Sequence, residues 1–198
     1  MNLPEKFYDY RLYIFDLDNT LYAETQYLHA AYRRIEEHFA QPGIADFLLR
    51  EFETHGRINL FDKLINTYQL PPESLERCLR ILRTVQVPGG LAVFHHISNL
   101  LYALKAQHKR LALLTNGHPA QQQNKIRQMN IPLAEIFDVI VFADEIQPKP
   151  SPAGVHYLLN HFHLPAADAL MIGDSDTDRT AAEKAGVNFI QAQHLREM

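Results

Sequence analysis

One cysteine in 198 residues, Cys78, leaves no partner for an internal disulfide and fits a reducing compartment. No apolar run approaches the roughly 18 to 20 residues that a membrane-spanning helix needs. Basic charge is not in excess either: 19 Lys and Arg stand against 23 Asp and Glu, for a formal net charge of −4. That balance gives no cationic footprint for a nucleic-acid polymer, although single phosphate compounds can still be held by local groups. A secretory leader is not expected, because Pro4, Glu5, Lys6 and Asp9 interrupt the early residues. Internal repeats and low-complexity tracts are lacking as well. The expectation is a folded cytoplasmic protein with neither membrane nor nucleic-acid polymer among its partners. Its 46% hydrophobic and 21% charged residues suit a globular chain rather than a disordered one.

What is present is a series of short apolar runs. Leu12 to Phe15, Leu111 to Leu114, Val139 to Phe142 and Ala169 to Ile172 are each apolar on both faces and end at a polar or glycine-bearing turn. Fully buried parallel strands read this way. A weaker run, Val187 to Ile190, follows Gly186 and suits an edge strand. Helical spacing separates the runs at Ile97 to Gln107, Pro119 to Met129, Pro152 to Phe162 and Asp176 to Ala185. Pro119 suits a first helical turn and Gly186 a left-handed cap. The alternation predicts an α/β fold with a doubly wound, mainly parallel, Rossmann-like sheet.

The first and second runs are too far apart for one crossover. Between them lie helical patterns at Glu24 to Phe39, Ile44 to His55, Asn59 to Tyr68 and Glu73 to Thr84. The organisation expected is therefore a core of residues 1–21 and 86–198, with an all-helical cap subdomain, residues 22–85, inserted after the first strand.

Polar signals follow each of the four strong runs. Asp16 and Asp18 follow the first, Thr115-Asn116-Gly117 the second, Lys149 lies beyond the third, and Gly173-Asp174-Ser175-Asp176-Thr177-Asp178 follows the fourth. In a parallel sheet these ends share one edge and converge in one crevice. Clustered carboxylates repel and lose hydration, so they need a compensating cation or a shared proton. An oxygen-rich set such as Asp16, Asp174 and Asp178 suits a hard cation, Mg²⁺ above all. Thr115, Asn116 and the amides after them can hold phosphate oxygens, and Lys149 can neutralise a transferring phosphoryl group. One aspartate can attack phosphorus; the other can protonate the leaving oxygen and later activate water, which requires its pKa to rise.

Asp16-x-Asp18-x-Thr20, Thr115, Lys149 and Gly173-Asp174-x-x-x-Asp178, in that order, resemble the four motifs of the haloacid dehalogenase-like hydrolases. The helical insertion falls where members with the first type of cap carry theirs. The resemblance implies Asp16 as nucleophile and metal ligand, and Asp18 as acid and base with its carbonyl on the metal. It implies Thr115 on phosphate, Lys149 as charge stabiliser, Asp174 as metal ligand, and Asp178 acting around the metal or through water. Dehalogenases of the family lack the second aspartate, so Asp18 favours phosphoryl transfer over carbon–halogen cleavage. Asn19, Leu21, Tyr22 and Thr115-Asn116-Gly117 are similar to its nucleotidase-like and phosphoglycolate phosphatase-like branch.

The expected activity is that of a Mg²⁺-dependent phosphatase acting on a small phosphorylated metabolite, such as a nucleoside monophosphate or sugar phosphate, through an aspartyl-phosphate. A phosphotransferase or phosphomutase of the same fold, and a non-catalytic binding or regulatory module, are the alternatives. Ser175 and Asp178 have the spacing of a capping box. His118 is the one histidine that could touch substrate, since it follows the phosphate-binding candidate, whereas His95-His96 and His161-x-His163 lack the spacing of metal ligands. Arg33, Arg34, His55, Arg57 and Lys63 are cap candidates for reading a distal substrate group. Cys78 is expected to be an inert helix residue.

Overall fold

In the computed structural model, residues 5–195 are described. Five strands form one sheet: Leu12–Phe15 (β1), Arg110–Thr115 (β2), Val139–Phe142 (β3), Ala169–Gly173 (β4) and Asn188–Gln191 (β5). Their order is β3-β2-β1-β4-β5, and every neighbouring pair is parallel. The chain winds outward on one side of β1 and then crosses to the other, which makes the predicted doubly wound sheet. The order reverses between β1 and β4, so their carboxyl ends flank the crevice where such folds place ligands.

Alternation along the strands explains why the runs are apolar on both faces. Tyr13 and Phe15 of β1, Leu111 and Leu113 of β2, and Leu170 and Ile172 of β4 join one core with Ile97, Leu100, Leu101 and Leu104 of His95–Ala106 (α5). Leu12, Ile14, Ala112, Leu114, Ala169 and Met171 face the opposite way. They pack with Val155, Leu158 and Leu159 of Ala153–Phe162 (α8) and with Ala181 and Ala182 of Asp176–Lys184 (α9). Both faces are thus withdrawn from water, as a parallel sheet requires.

Four helices fill the stretch after β1: Thr25–Phe39 (α1), Ile44–His55 (α2), Leu60–Tyr68 (α3) and Ser74–Thr84 (α4). Leu28, Ala31, Tyr32 and Ile35 form the buried stripe of α1, spaced to lie on one face. They share a core with Leu48, Leu64 and Cys78, and that core runs on without a break into the α5 face of the sheet. Burial pushes the Cys78 thiol up to about 11, away from the range of reactive thiolates.

The two ends of this helical stretch adjoin. Tyr22 bridges Val93 in antiparallel fashion, and the Phe94 N–H donates to the Leu21 carbonyl at 2.8 Å. The Gln26 amide both donates to the Ala92 carbonyl and accepts from its N–H.

Predicted and observed boundaries agree within one or two residues, with β5 at the sheet edge as expected. Pro119–Arg127 (α6) starts at its proline, and Gly186 takes the left-handed conformation, φ 72°, after α9. Leu133–Ile136 (α7) was not anticipated, because one turn is too short to display a period. Among the described residues no helix is long and apolar enough to cross a membrane.

Candidate active site

The first site residue extends a ladder. The Asp16 N–H donates to the Ile172 carbonyl at 2.9 Å, which carries the β1–β4 pairing one residue past β1 and fixes the Asp16 backbone. Asn19 then turns the chain with φ 58°, a conformation that asparagine tolerates well. Asp16 and Asp18 line one cavity of about 380 Å³ together with Thr115, Asn116, Gly117, Lys149, Asp174 and Asp178. Residues from four strand ends therefore do meet at one edge of the sheet.

Lys149 is the hub of this cavity. It is buried, and its Nζ stands 2.6 Å from Asp16 Oδ1, 2.6 Å from Asp178 Oδ1 and 2.8 Å from the Leu114 carbonyl. The loop that carries it is held by Asn116, whose side chain donates to the Lys149 carbonyl and accepts from its N–H, both at 2.8 Å. Burial acts to lower the lysine pKa, but the facing Asp16 and Asp178 carboxylates outweigh it and raise the value. Burial pushes Asp16 up to about 8; Lys149 pulls it down, while Asp178 and Asp18 push it further up. Asp174 is pushed up to about 6 by burial and by Asp178.

Asp178 also starts α9. Ser175 and Asp178 form the expected capping box: the Ser175 N–H and hydroxyl donate to Asp178 Oδ2 at 3.1 and 2.7 Å, and the Asp178 N–H donates to the serine oxygen at 3.2 Å. Gly173 makes room for this arrangement. A Cβ there would stand 2.5 Å from Asp178 Oδ2 and 2.6 Å from its Cγ, and the capping box leaves that carboxylate nowhere to move. Gly173→Ala should therefore destabilise the protein by about 1–3 kcal/mol. A urea midpoint equal to that of the parent protein would show that Asp178 can give way.

Asp18 is held from the opposite wall. Its Oδ1 and Oδ2 accept from Lys125 Nζ at 2.8 and 2.7 Å. Tyr22 Oη donates to Oδ1 at 2.7 Å and Gln122 Nε2 to Oδ2 at 3.0 Å; the same Gln122 group donates to Thr115 Oγ1 at 2.7 Å. Lys125 Nζ also lies 3.3 Å from Glu24 Oε1, and Glu24 pairs with Arg57 at the rim of the cavity. Burial acts to raise the Asp18 pKa, but Lys125, Gln122 and Tyr22 outweigh it and hold the carboxyl below the usual carboxylate range. A general acid needs that value to rise instead. The difference comes from Lys125, an ammonium group that α6 turns inward onto both Asp18 oxygens.

The family profile described as haloacid dehalogenase-like hydrolase matches residues 13–192, a span holding every one of these groups. The chain belongs to that family. It is 28% identical over 185 residues to a phosphoglycolate phosphatase (plasmid) of Cupriavidus necator, covering 88% of this chain and 77% of that one. It is 27% identical over 183 residues to a glyceraldehyde 3-phosphate phosphatase of Pyrococcus abyssi, covering 83% and 73%. A solved hydrolase of subfamily IA, variant 1, of the same superfamily from Geobacter sulfurreducens superposes with a TM-score of 0.74 at 24% identity, over 92% of this chain and 87% of that one. That last likeness establishes the haloacid dehalogenase-like fold.

The family assignment gives the acidic cluster a setting. One carboxylate oxygen from each of Asp16, Asp174 and Asp178 lies within 4.8 Å of the other two. The donors are all oxygen, and burial and neighbouring carboxylates raise the pKa values of Asp16 and Asp174. That donor set fits a hard divalent cation.

Several predicted residues sit elsewhere or do something further. Asn116 spends its amide on the Lys149 backbone, and the Gly117 N–H donates to Asp144 Oδ1 at 2.9 Å. His118 caps α6, its ring nitrogen accepting from the Ala120 N–H at 3.2 Å. Of the cap candidates, Arg57 reaches the cavity. Arg33 and Arg34 line a separate groove between α1 and α4, and His55 and Lys63 pair with Glu51. Gln122, Lys125 and Glu24 were not singled out from the sequence. Gln122 and Lys125 are three apart on α6, a spacing that marks one helix face, but a polar face reads as solvated when nothing shows what it meets.

Proposed function

We propose that this haloacid dehalogenase-like hydrolase is a magnesium-dependent phosphatase that acts on a small phosphorylated metabolite through an aspartyl-phosphate on Asp16. The observation that carries the reading is the side-by-side placement, in one cavity, of Asp16 against Lys149 and of Asp18 two residues on. In the first step an Asp16 oxygen bonds to phosphorus and the ester P–O bond breaks; Asp18, which Lys125 keeps ionised in the free protein, takes up a proton when the anionic phosphate comes to lie beside it and gives that proton to the departing oxygen. In the second step water bonds to phosphorus and passes a proton to Asp18, while the Asp16–phosphorus bond breaks and phosphate leaves. Thr115, which lines the cavity, would hold a phosphate oxygen through its hydroxyl, and Lys149 balances charge on the transferring group.

Asp16, Asp174 and the Asp18 carbonyl, with Asp178 alongside, are the groups that would hold magnesium. When bound, the ion neutralises the clustered carboxylates and the phosphate they must approach. Residues 22–85 act in this reading as a cap, with Glu24 and Arg57 as its reach into the cavity. Relatives named for phosphoglycolate and glyceraldehyde 3-phosphate support a short substrate with a polar or anionic group beyond the phosphate, and Arg57 is the cap cation placed to meet it.

The test is phosphate release from 2-phosphoglycolate, glyceraldehyde 3-phosphate, sugar phosphates and nucleoside monophosphates, with magnesium and with chelator. Absence of release from every compound in magnesium would refute the assignment. Arg57→Ala should raise KM for 2-phosphoglycolate by about 10- to 100-fold with little change in kcat, as loss of a charged hydrogen bond to a non-reacting group does. Steady-state kinetics on the two proteins would decide this, and an unchanged KM removes Arg57 from substrate recognition.

A further inference from the structure

Lys125 has 0% of its side chain exposed, although α6 is otherwise a polar helix. A buried ammonium is costly unless its protons are all used. Here they go to both Asp18 oxygens and to Glu24 Oε1, and the Nζ sits 5.2 Å from the centre of the Tyr27 ring. Asp18 therefore has each oxygen gripped twice, by Lys125 and Tyr22 on one side and by Lys125 and Gln122 on the other. A carboxyl held by four such contacts has one orientation, whereas one held by Tyr22 and Gln122 alone can swing about its χ angles.

We infer that Lys125 is a positioning residue which orients the Asp18 carboxyl for proton transfer to the departing oxygen, and which ties that orientation to the cap side through Glu24. This rests on the phosphatase reading. A purely structural role, pinning the start of α1 to α6, is the competing account. The two differ in one respect. A residue acting through a proton donor matters when the leaving oxygen needs a proton and hardly matters when it leaves as a stable anion. A residue that merely holds the fold affects both kinds of ester alike.

The experiment compares kcat/KM of the parent protein and Lys125→Met on para-nitrophenyl phosphate and on the best alkyl phosphate of the panel above. kcat/KM reports the steps up to departure of the alcohol, so hydrolysis of the aspartyl-phosphate does not enter. The alkyl ester should lose about 100-fold and the nitrophenyl ester less than about fivefold. In an Asp18→Asn background the same Lys125 change should cost little more, because its effect runs through Asp18. Equal losses on the two esters, or no loss on the alkyl ester, overturn the inference while leaving the phosphatase reading intact. A parent protein that hydrolyses neither ester removes both. Should Lys125→Met fail to fold, Lys125→Gln keeps a donor toward Asp18, and the same ratio of losses decides.

Discussion

Asp16→Asn should fold as the parent does and release no phosphate, with a loss on the order of 10⁴- to 10⁶-fold, the scale on which a covalent nucleophile is missed. The fold should survive because the asparagine is nearly the shape of the acid, and because its oxygen can still accept from Lys149 Nζ, which bonds Asp16 Oδ1 at 2.6 Å. Burial already favours an uncharged group at that position and pushes the Asp16 pKa up to about 8. Lys149 keeps Asp178 and the Leu114 carbonyl as partners. Phosphate release, circular dichroism and the melting temperature together separate the cases. A variant with more than a few per cent of parental activity would mean that the bond to phosphorus is made elsewhere.

Lys149→Met should lose at least about a thousandfold in kcat, as losing a charge stabiliser beside the reacting group does. It should also lose stability, by about 3–5 kcal/mol, because two buried carboxylates are left facing each other without a cation. Uptake of a proton by Asp16, whose pKa is already raised, absorbs part of that cost. Urea unfolding and steady-state kinetics on one preparation test both halves. The combination is diagnostic: a lysine on a solvated loop would cost neither, and a purely structural one would cost stability with only a small change in rate. An unaltered midpoint would show that the site tolerates its carboxylates without Lys149.

The parts of this molecule that the sequence displays are those set by local pattern. Leu12 to Phe15 and Ala169 to Ile172 are apolar on both faces because each strand is covered twice, and no solvated arrangement writes that pattern. Once the strands are placed, Asp16, Thr115, Lys149 and Asp174 follow, since parallel strands put their carboxyl ends together. Ser175 and Asp178 are legible for the same reason: a capping box relates two positions only three apart. What stayed hidden depends on contacts between distant segments. Lys125 reaches Asp18 across a separation of 107 residues and Arg57 reaches Glu24 across 33, and neither separation leaves a periodic trace. The Asp18 pKa went the other way from the expectation because its sign is decided by which side chains of α6 turn inward. An amphipathic pattern does not reveal that when the inward face is itself polar.

The pairing of Tyr22 with Val93, and of Leu21 with Phe94, bears on how such a chain can change over time. The two ends of the four-helix excursion are fastened to each other on the sheet side, so the entropy of closing that loop is met before any of its helices is counted. Closure entropy grows only slowly with length. Segments of quite different size or make-up could therefore be spliced between those two fastenings with little penalty, while the β1–β2 register and the acidic edge stay as they are. The sheet supplies a fixed socket, and if residues 22–85 act as the proposed cap, exchanging what is plugged into it would revise the choice of substrate.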